Sequence, residues 1–464
     1  FEALELKETI ARTYQISRKA LSLSDGASDV ERALIEALTR RFQAAEPVDD
    51  LDAWNDDYAD AMRDVYAAFP DDPDVCTLFV DALMNRTPWA MWDLATGAPG
   101  TGADTLEAIS AVESKIVAMA SAGEELHPGL LHYHIHLLEM SPNPERALRS
   151  ADGLRTLVPD AGHLNHMSTH IDAQCGHYQT VVDCNNAAIA AEGLYVAEHG
   201  LINSQAMSRA HSFHFKMYGA MLLGQFGPAM EAANGMVETL PEELLRKENP
   251  CMADWLEGYL AMQVHPLIRF GKWQELLDRP LPADHELYCS VTAFAHYGRT
   301  LAHAVLGNVV AAEEQFEVFQ EAVANVPMSR MVFNNQVRST LDIASAMARG
   351  EVTYRKGEFE DAFDYLHEAV RLSDNLPYDE PWGWMQPARH ALGALLLEQG
   401  QLEEAEAVYR ADLGLDDSLM RCCHHPENVW ALHGFHESLT RQGKAAEAHL
   451  VKPRLTLALA RTDV

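Results

Sequence analysis

The sequence predicts an all-α protein, an α-solenoid in which helix pairs stack into a right-handed superhelix. Three observations carry that reading. Apolar residues recur at three- and four-residue spacings, as in FEDAFDYLHEAVRLSD (359–374) and LEEAEAVYRADLGL (402–415), which is the period of amphipathic helices. Runs of alternating β-branched residues, the mark of strands, do not occur. Short glycine turns recur between helical stretches: CGHY (175–178), LGQF (223–226), FGKW (270–273), LGNV (306–309), KGEF (356–359), QGQL (399–402) and QGKA (442–445).

The turns share a frame. Relative to Gly357, Gly350 lies seven before, Ala362 five after and Leu366 nine after; around Gly400 the same frame holds Gly393, Ala405 and Tyr409. Small residues at these places let two helices approach, and the pattern resembles the tetratricopeptide repeat. The glycine-to-glycine spacings are 48, 47, 36, 50, 43 and 43, so the helices or connections are longer than in the 34-residue repeat. Residues 1–95 read as a helical region with a weaker frame, for example LDAWNDDYADAMRDVYAAFP (51–70). The stretch ATGAPGTGADT (95–105) marks the expected boundary, and 105–464 is the repeat domain. A proline-rich loop, NLPYDEPWGWMQP (375–387), is expected to project over the binding face.

Composition narrows the partners. With 35 Lys and Arg against 69 Asp and Glu in 464 residues, the net charge of −34 repels nucleic acid and anionic membrane surfaces. Nearly half the residues are hydrophobic, enough for a globular core, yet no stretch approaches a membrane-spanning helix. Seven scattered cysteines form no C-x-x-C pair, which points to idle thiols in a reducing cytoplasm. The chain opens on Phe1 rather than Met, compatible with removal of a leader.

The histidines carry the functional signal. Eleven of 22 fall between His127 and His214. In HPGLLHYHIHLLE (127–139), His132, His136 and Glu139 share one helical stripe. In GHLNHMSTHI (162–171), His163, His166 and His170 do the same, and HSFHF (211–215) pairs His211 with His214. His132 to His166 and His136 to His170 are both 34 residues, so equivalent positions recur one repeat apart. Each group precedes the second helix of its unit, which places all three on first helices, the ones expected to line the concave groove. Neutral imidazole is the commonest transition-metal ligand, and i, i+4 pairs hold two donors rigidly. The set therefore predicts one or two ions of Zn, Cu, Fe or Mn. His134, His177 and His199 read as structural, and His127 as a helix cap.

The strings HYHIHLLEMSPNPERAL, HLNHMSTHI and HSFHF also resemble a family of bacterial tetratricopeptide-repeat proteins, in which they run like HYYIHAVEAS-PERAL, HMPSHI and HNYHF. The resemblance runs from about residue 50 to 450 and includes PWAMWDL (88–94) and DEPWGWMQPAR (379–389). Here Ser168-Thr169 stands for the usual Pro-Ser and Ser212 for the usual Asn, which leaves the histidines in place. The resemblance implies a fold and a shared histidine set rather than a reaction.

Trp89, Trp92, Trp382 and Trp384 are candidate substrate walls, and Arg389 is a candidate carboxylate clamp. No Walker loop, dinucleotide fingerprint, G-x-S-x-G elbow or H-E-x-x-H motif occurs. Two functions follow. The first is a metalloenzyme that oxidises, hydrolyses or eliminates from a small organic molecule in the groove. The second is a non-catalytic scaffold that binds a protein or peptide partner, as repeat arrays commonly do. Either is compatible with a homo-oligomer.

Overall fold

Helices begin where the chain supplies a cap. In the computed structural model, which describes residues 3–463, Ser28 starts the helix Asp29–Arg41 with a reciprocal capping box: its backbone N–H donates to Glu31 Oε2 (2.7 Å), and Glu31 N–H donates back to Ser28 Oγ (3.3 Å). Asp72 caps the helix Pro73–Met84, with proline in the first position. His127 caps the helix Pro128–Glu139 by accepting from Leu130 N–H (3.3 Å). The molecule is helical almost throughout. Regular strand among the described residues is limited to a two-residue hairpin, Met331–Val332 against Asn335–Gln336. No helix among the described residues is long and apolar enough to cross a membrane.

The seven turn glycines all take left-handed backbone, with φ between 65° and 85°. Each closes one helix and lets the next fold back against it. Antiparallel neighbours result, such as Gly162–Cys175 with Tyr178–His199, Ala206–Leu223 with Phe226–Thr239, and Val337–Arg355 with Phe359–Asp374. The histidine groups sit on the first helix of their pairs, with Leu148–Leu154, Tyr178–His199 and Phe226–Thr239 following them.

The chain divides into two units, Phe1–Val158 and Pro159–Val464. The stretch 95–105, expected as the boundary, lies inside the first unit. Within it Gly100 N–H donates to Met91 O (2.9 Å), and the Thr105 hydroxyl donates there as well (2.6 Å), so the loop is folded onto its neighbours. The first unit is centred on Met62, Val75, Phe79, Leu83, Val112, Ile135 and Leu138.

The second unit has one large core cluster from Tyr354 to Leu455. Its last helices return to its first ones. Trp430 Nε1 donates to Met221 O (2.7 Å), and the Arg421 guanidinium donates to Gln174 O (2.8 Å). The Asp463 carboxylate accepts from the backbone N–H groups of Phe226 (2.6 Å) and Gly227 (2.8 Å), at the positive end of the helix Phe226–Thr239.

Helix approach in this unit depends on glycine facing an aromatic ring. A β-carbon added at Gly434 would stand 2.1 Å from Tyr409 Cζ, and one at Gly393 would stand 2.6 Å from it. Tyr409 is itself buried. In an open helix Gly→Ala gains about 1 kcal/mol. Here overpacking reverses the sign, and Gly434→Ala is expected to cost about 1–3 kcal/mol by urea denaturation. An unchanged or raised midpoint would mean that the two helices separate without cost.

Candidate metal centre

In the first unit, His132 and His136 lie one turn apart on the helix Pro128–Glu139, with ring centroids 4.7 Å apart. Glu139 is fully buried, and its carboxylate accepts from His136 Nδ1 (2.7 Å). That bond leaves His136 Nε2 as the ring's ligand atom, the arrangement by which carboxylates orient metal-binding histidines. The helix is fixed by Trp92, whose indole Nε1 donates to Leu137 O (2.7 Å). His134 is tied to Ser150 (2.8 Å) and Glu113 (3.3 Å), a structural role.

In the second unit, His166 and His170 on the helix Gly162–Cys175 meet His211 on Ala206–Leu223. Their ring nitrogens lie within 4.8 Å of one another, and all three residues are buried. The hydrogen bonds around them fix which nitrogens are ligand atoms. Asn185 donates its amide to Val181 O (2.8 Å) and Thr169 Oγ1 (3.2 Å), so its Oδ1 is the atom facing His166 Nδ1 at 2.7 Å. Nδ1 of His166 is therefore the protonated nitrogen, and Nε2 carries the lone pair. His170 Nδ1 lies 3.3 Å from the Glu380 carboxylate, an acceptor that places a proton on that nitrogen. The two Nε2 atoms then face each other at 2.8 Å. Two lone pairs at that distance repel unless a proton or a cation stands between them. Tetrahedral zinc–imidazole bonds of about 2.0–2.1 Å would set the nitrogens about 3.3 Å apart, within reach of a small ring rotation.

His211 completes the set. Burial, and then the neighbouring imidazoles, hold its pKa well below the usual histidine range, so the ring is neutral. Its Nδ1 has no hydrogen-bond partner among the described residues. Phe333 stacks on this ring, with centroids 5.1 Å apart and planes 7° off parallel, and Phe215 packs against all three imidazoles. Phe333 holds a left-handed backbone (φ 52°), a strained conformation that clusters at functional sites. A cavity of about 20 Å³ lies beside His170, bounded by Phe215, Tyr378 and Glu380, room for about one water. Three imidazoles, one carboxylate behind them and one small open space could hold a single divalent ion and leave a position for water.

The other expected residues lie outside this trio. His163 is exposed, its ring 6.4 Å from that of His166. His214 is buried against Tyr259, its pKa pushed down by burial to about 3, and it is not among the nitrogens gathered around His166. Trp89 is exposed in the first unit. Trp382 is buried and donates to Ser373 O (2.9 Å), so it packs rather than presenting a wall. Trp384 is buried at the edge of a separate cavity. Arg389 is already occupied by the Asp374 carboxylate through both Nη atoms, which removes it as a free clamp. The residues that sequence spacing missed are Asn185 and Glu380. Glu380 lies in the proline-rich segment 375–387, the loop expected over the binding face, and that was the available signal.

One further acid lies near the histidines. Glu192 faces Gly162 so closely that a β-carbon there would meet its Cγ at 2.6 Å, and its Oε1 accepts from Ser212 (3.0 Å). It lines a cavity of about 220 Å³ with His163, Tyr195 and Arg209. Burial raises its pKa to about 7.

No protein-family model matches the chain, and no curated protein matches it.

Two predictions follow from these contacts. Replacing Asn185 with Ala frees the His166 ring, and metal affinity measured by chelator competition should fall about 10- to 100-fold. Equal affinity would remove Asn185 from the site. Glu192, whose folded pKa is raised, stabilises the protein fully below about pH 4.5, and the contribution is lost as pH rises through about 7. The stability of Glu192→Gln relative to wild type should therefore climb between pH 5 and pH 8 by roughly 2–4 kcal/mol in denaturant titrations. A difference that stays flat across that window would show that Glu192 is ionised throughout.

Proposed function

We propose that the protein is a metal-dependent enzyme built on a tetratricopeptide-like α-solenoid, with a mononuclear site at His166, His170 and His211 that acts on a small organic molecule. The observation that carries this reading is the 2.8 Å approach of two Nε2 atoms whose partner nitrogens are already directed to Asn185 and Glu380. A three-nitrogen set without thiolate suits Zn, Cu, Fe or Mn, and an open fourth position suits catalysis rather than a closed structural site. The carboxylate beside His170 Nδ1 is placed like the carboxylates that orient zinc-bound histidines, which favours a hydrolytic or lyase reaction using metal-activated water. His132 and His136, with Glu139 behind them, are the candidate ligands of a second ion. The resemblance of the histidine strings to bacterial tetratricopeptide-repeat proteins supports the same fold.

Elemental analysis of untagged protein tests the reading. One or two equivalents of zinc are expected in the wild type, with at least one lost in His166→Ala/His170→Ala and none lost in His214→Ala. Copper or iron in that position would turn the same site to oxidation of its substrate. Metal content unchanged in the double variant, or under about a tenth of an equivalent after metal is added back, would overturn the site and leave the peptide-binding scaffold.

A further inference from the structure

The second unit contains a far larger cavity than those beside the histidines, of about 700 Å³. That is the size of a pocket for a small organic ligand. Its wall is mostly apolar and aromatic, with Tyr297, Leu301, Met347, Trp384 and Trp430 among its residues. Two arginines reach it. Arg441 is paired with Glu437 (3.3 Å). Arg269 is paired with no carboxylate among the described residues.

The surroundings of Arg269 explain why it is left open. Asp412 is completely buried, and its Oδ2 accepts from His390 Nε2 (2.8 Å) and Asn428 Nδ2 (2.9 Å), while its Oδ1 accepts from His425 Nδ1 (2.9 Å). Because Nε2 of His390 donates to Asp412, its Nδ1 is an acceptor, and Arg269 Nη2 donates to it (2.9 Å). The arginine's one side-chain hydrogen-bond acceptor among the described residues is thus a neutral ring, with the carboxylate held on its far side. The guanidinium lies over the Trp430 ring at 4.9 Å, and its Nε–H is buried without an acceptor among the described residues. Burial lowers the Arg269 pKa only to about 10, so the group stays charged at neutral pH. Trp384, on the same cavity wall, is 2% exposed, and its indole N–H is also without an acceptor among the described residues. Glu351, another residue of the wall, is engaged by Arg355 (2.8 Å). The cavity therefore offers one cation whose direct side-chain acceptor among the described residues is a neutral ring, inside a largely apolar and aromatic lining.

We propose that this cavity binds a small organic monocarboxylate, with its carboxylate on Arg269 and its apolar body against Trp384 and Trp430. A carboxylate supplies the oxygen acceptors that the guanidinium lacks, and the surrounding rings reward an apolar chain or aromatic group. The site is distinct from the histidine trio and does not rest on the metal reading. The segment 375–387 touches both, carrying Glu380 to His170 and Trp384 to this cavity.

Isothermal titration of the full chain with 3-phenylpropionate and octanoate, using 3-phenylpropan-1-ol as the uncharged control, tests this. The acids should bind one per chain, at least about tenfold more tightly than the alcohol, with a change in tryptophan fluorescence. Arg269→Gln should weaken acid binding at least about tenfold and leave alcohol binding unchanged. Ala394→Trp, at the exposed lip of the cavity, should abolish both, and it decides the matter if the arginine variant fails to fold. Equal affinity for acid and alcohol, acid binding unaffected in either folded variant, or no binding of either acid to the wild type would overturn the proposal. Loss of metal from His166→Ala/His170→Ala with acid binding retained would leave it standing.

Discussion

Close approach of paired helices, permitted by small residues, is the constraint on which the rest of the second unit depends. At Gly219 a β-carbon would meet Val181 Cγ1 at 2.8 Å, so the helix Ala206–Leu223 lies directly on Tyr178–His199. That contact brings His211 within reach of His166, which Asn185 of the intervening helix orients. With a larger residue at 219, the two histidine-bearing helices would stand further apart and the imidazoles would no longer converge. Packing and chemistry are thus set by the same small side chain.

The three imidazoles are costly to bury as they stand. Each removes a polar ring from water, and His211 recovers no hydrogen bond at Nδ1 among the described residues. Such an arrangement persists where something else offsets the cost, and a divalent ion accepting three lone pairs would do so. The aromatic shell of Phe215 and Phe333 fits the same logic. It excludes water and lowers the local dielectric, which strengthens whatever charge the site holds.

Much of this was legible in the sequence, and the limits have physical causes. Helical periodicity and glycine turns gave the helices and their pairing, because both are local properties of the chain. The stripe His166–His170 was readable for the same reason, since i and i+4 share a face on any helix. His211 was read into the same set, but His214 could not be told apart from it. The helix that carries them is buried almost all round, so positions three apart serve different neighbours, one facing His166 and the other Tyr259. Asn185 and Glu380 come from other elements, and spacing carries no information about such encounters. Arg389 and Arg269 show the converse. The arginine placed beside tryptophans in sequence is neutralised by Asp374, while the open one lies in an ordinary apolar stretch and is exposed by packing alone.

The return of the last helices onto the first ones also bears on how this unit can evolve. An open array of repeats gains or loses a unit at its ends with little consequence, because each repeat touches only its neighbours. Here Asp463 is seated on the backbone of Phe226 and Gly227, and Trp430 on Met221. A duplicated or deleted helix pair would pull those seams apart. The number of pairs is therefore constrained, and the segment around Asp463 is tied to helices more than two hundred residues earlier, so the unit is expected to melt as one block.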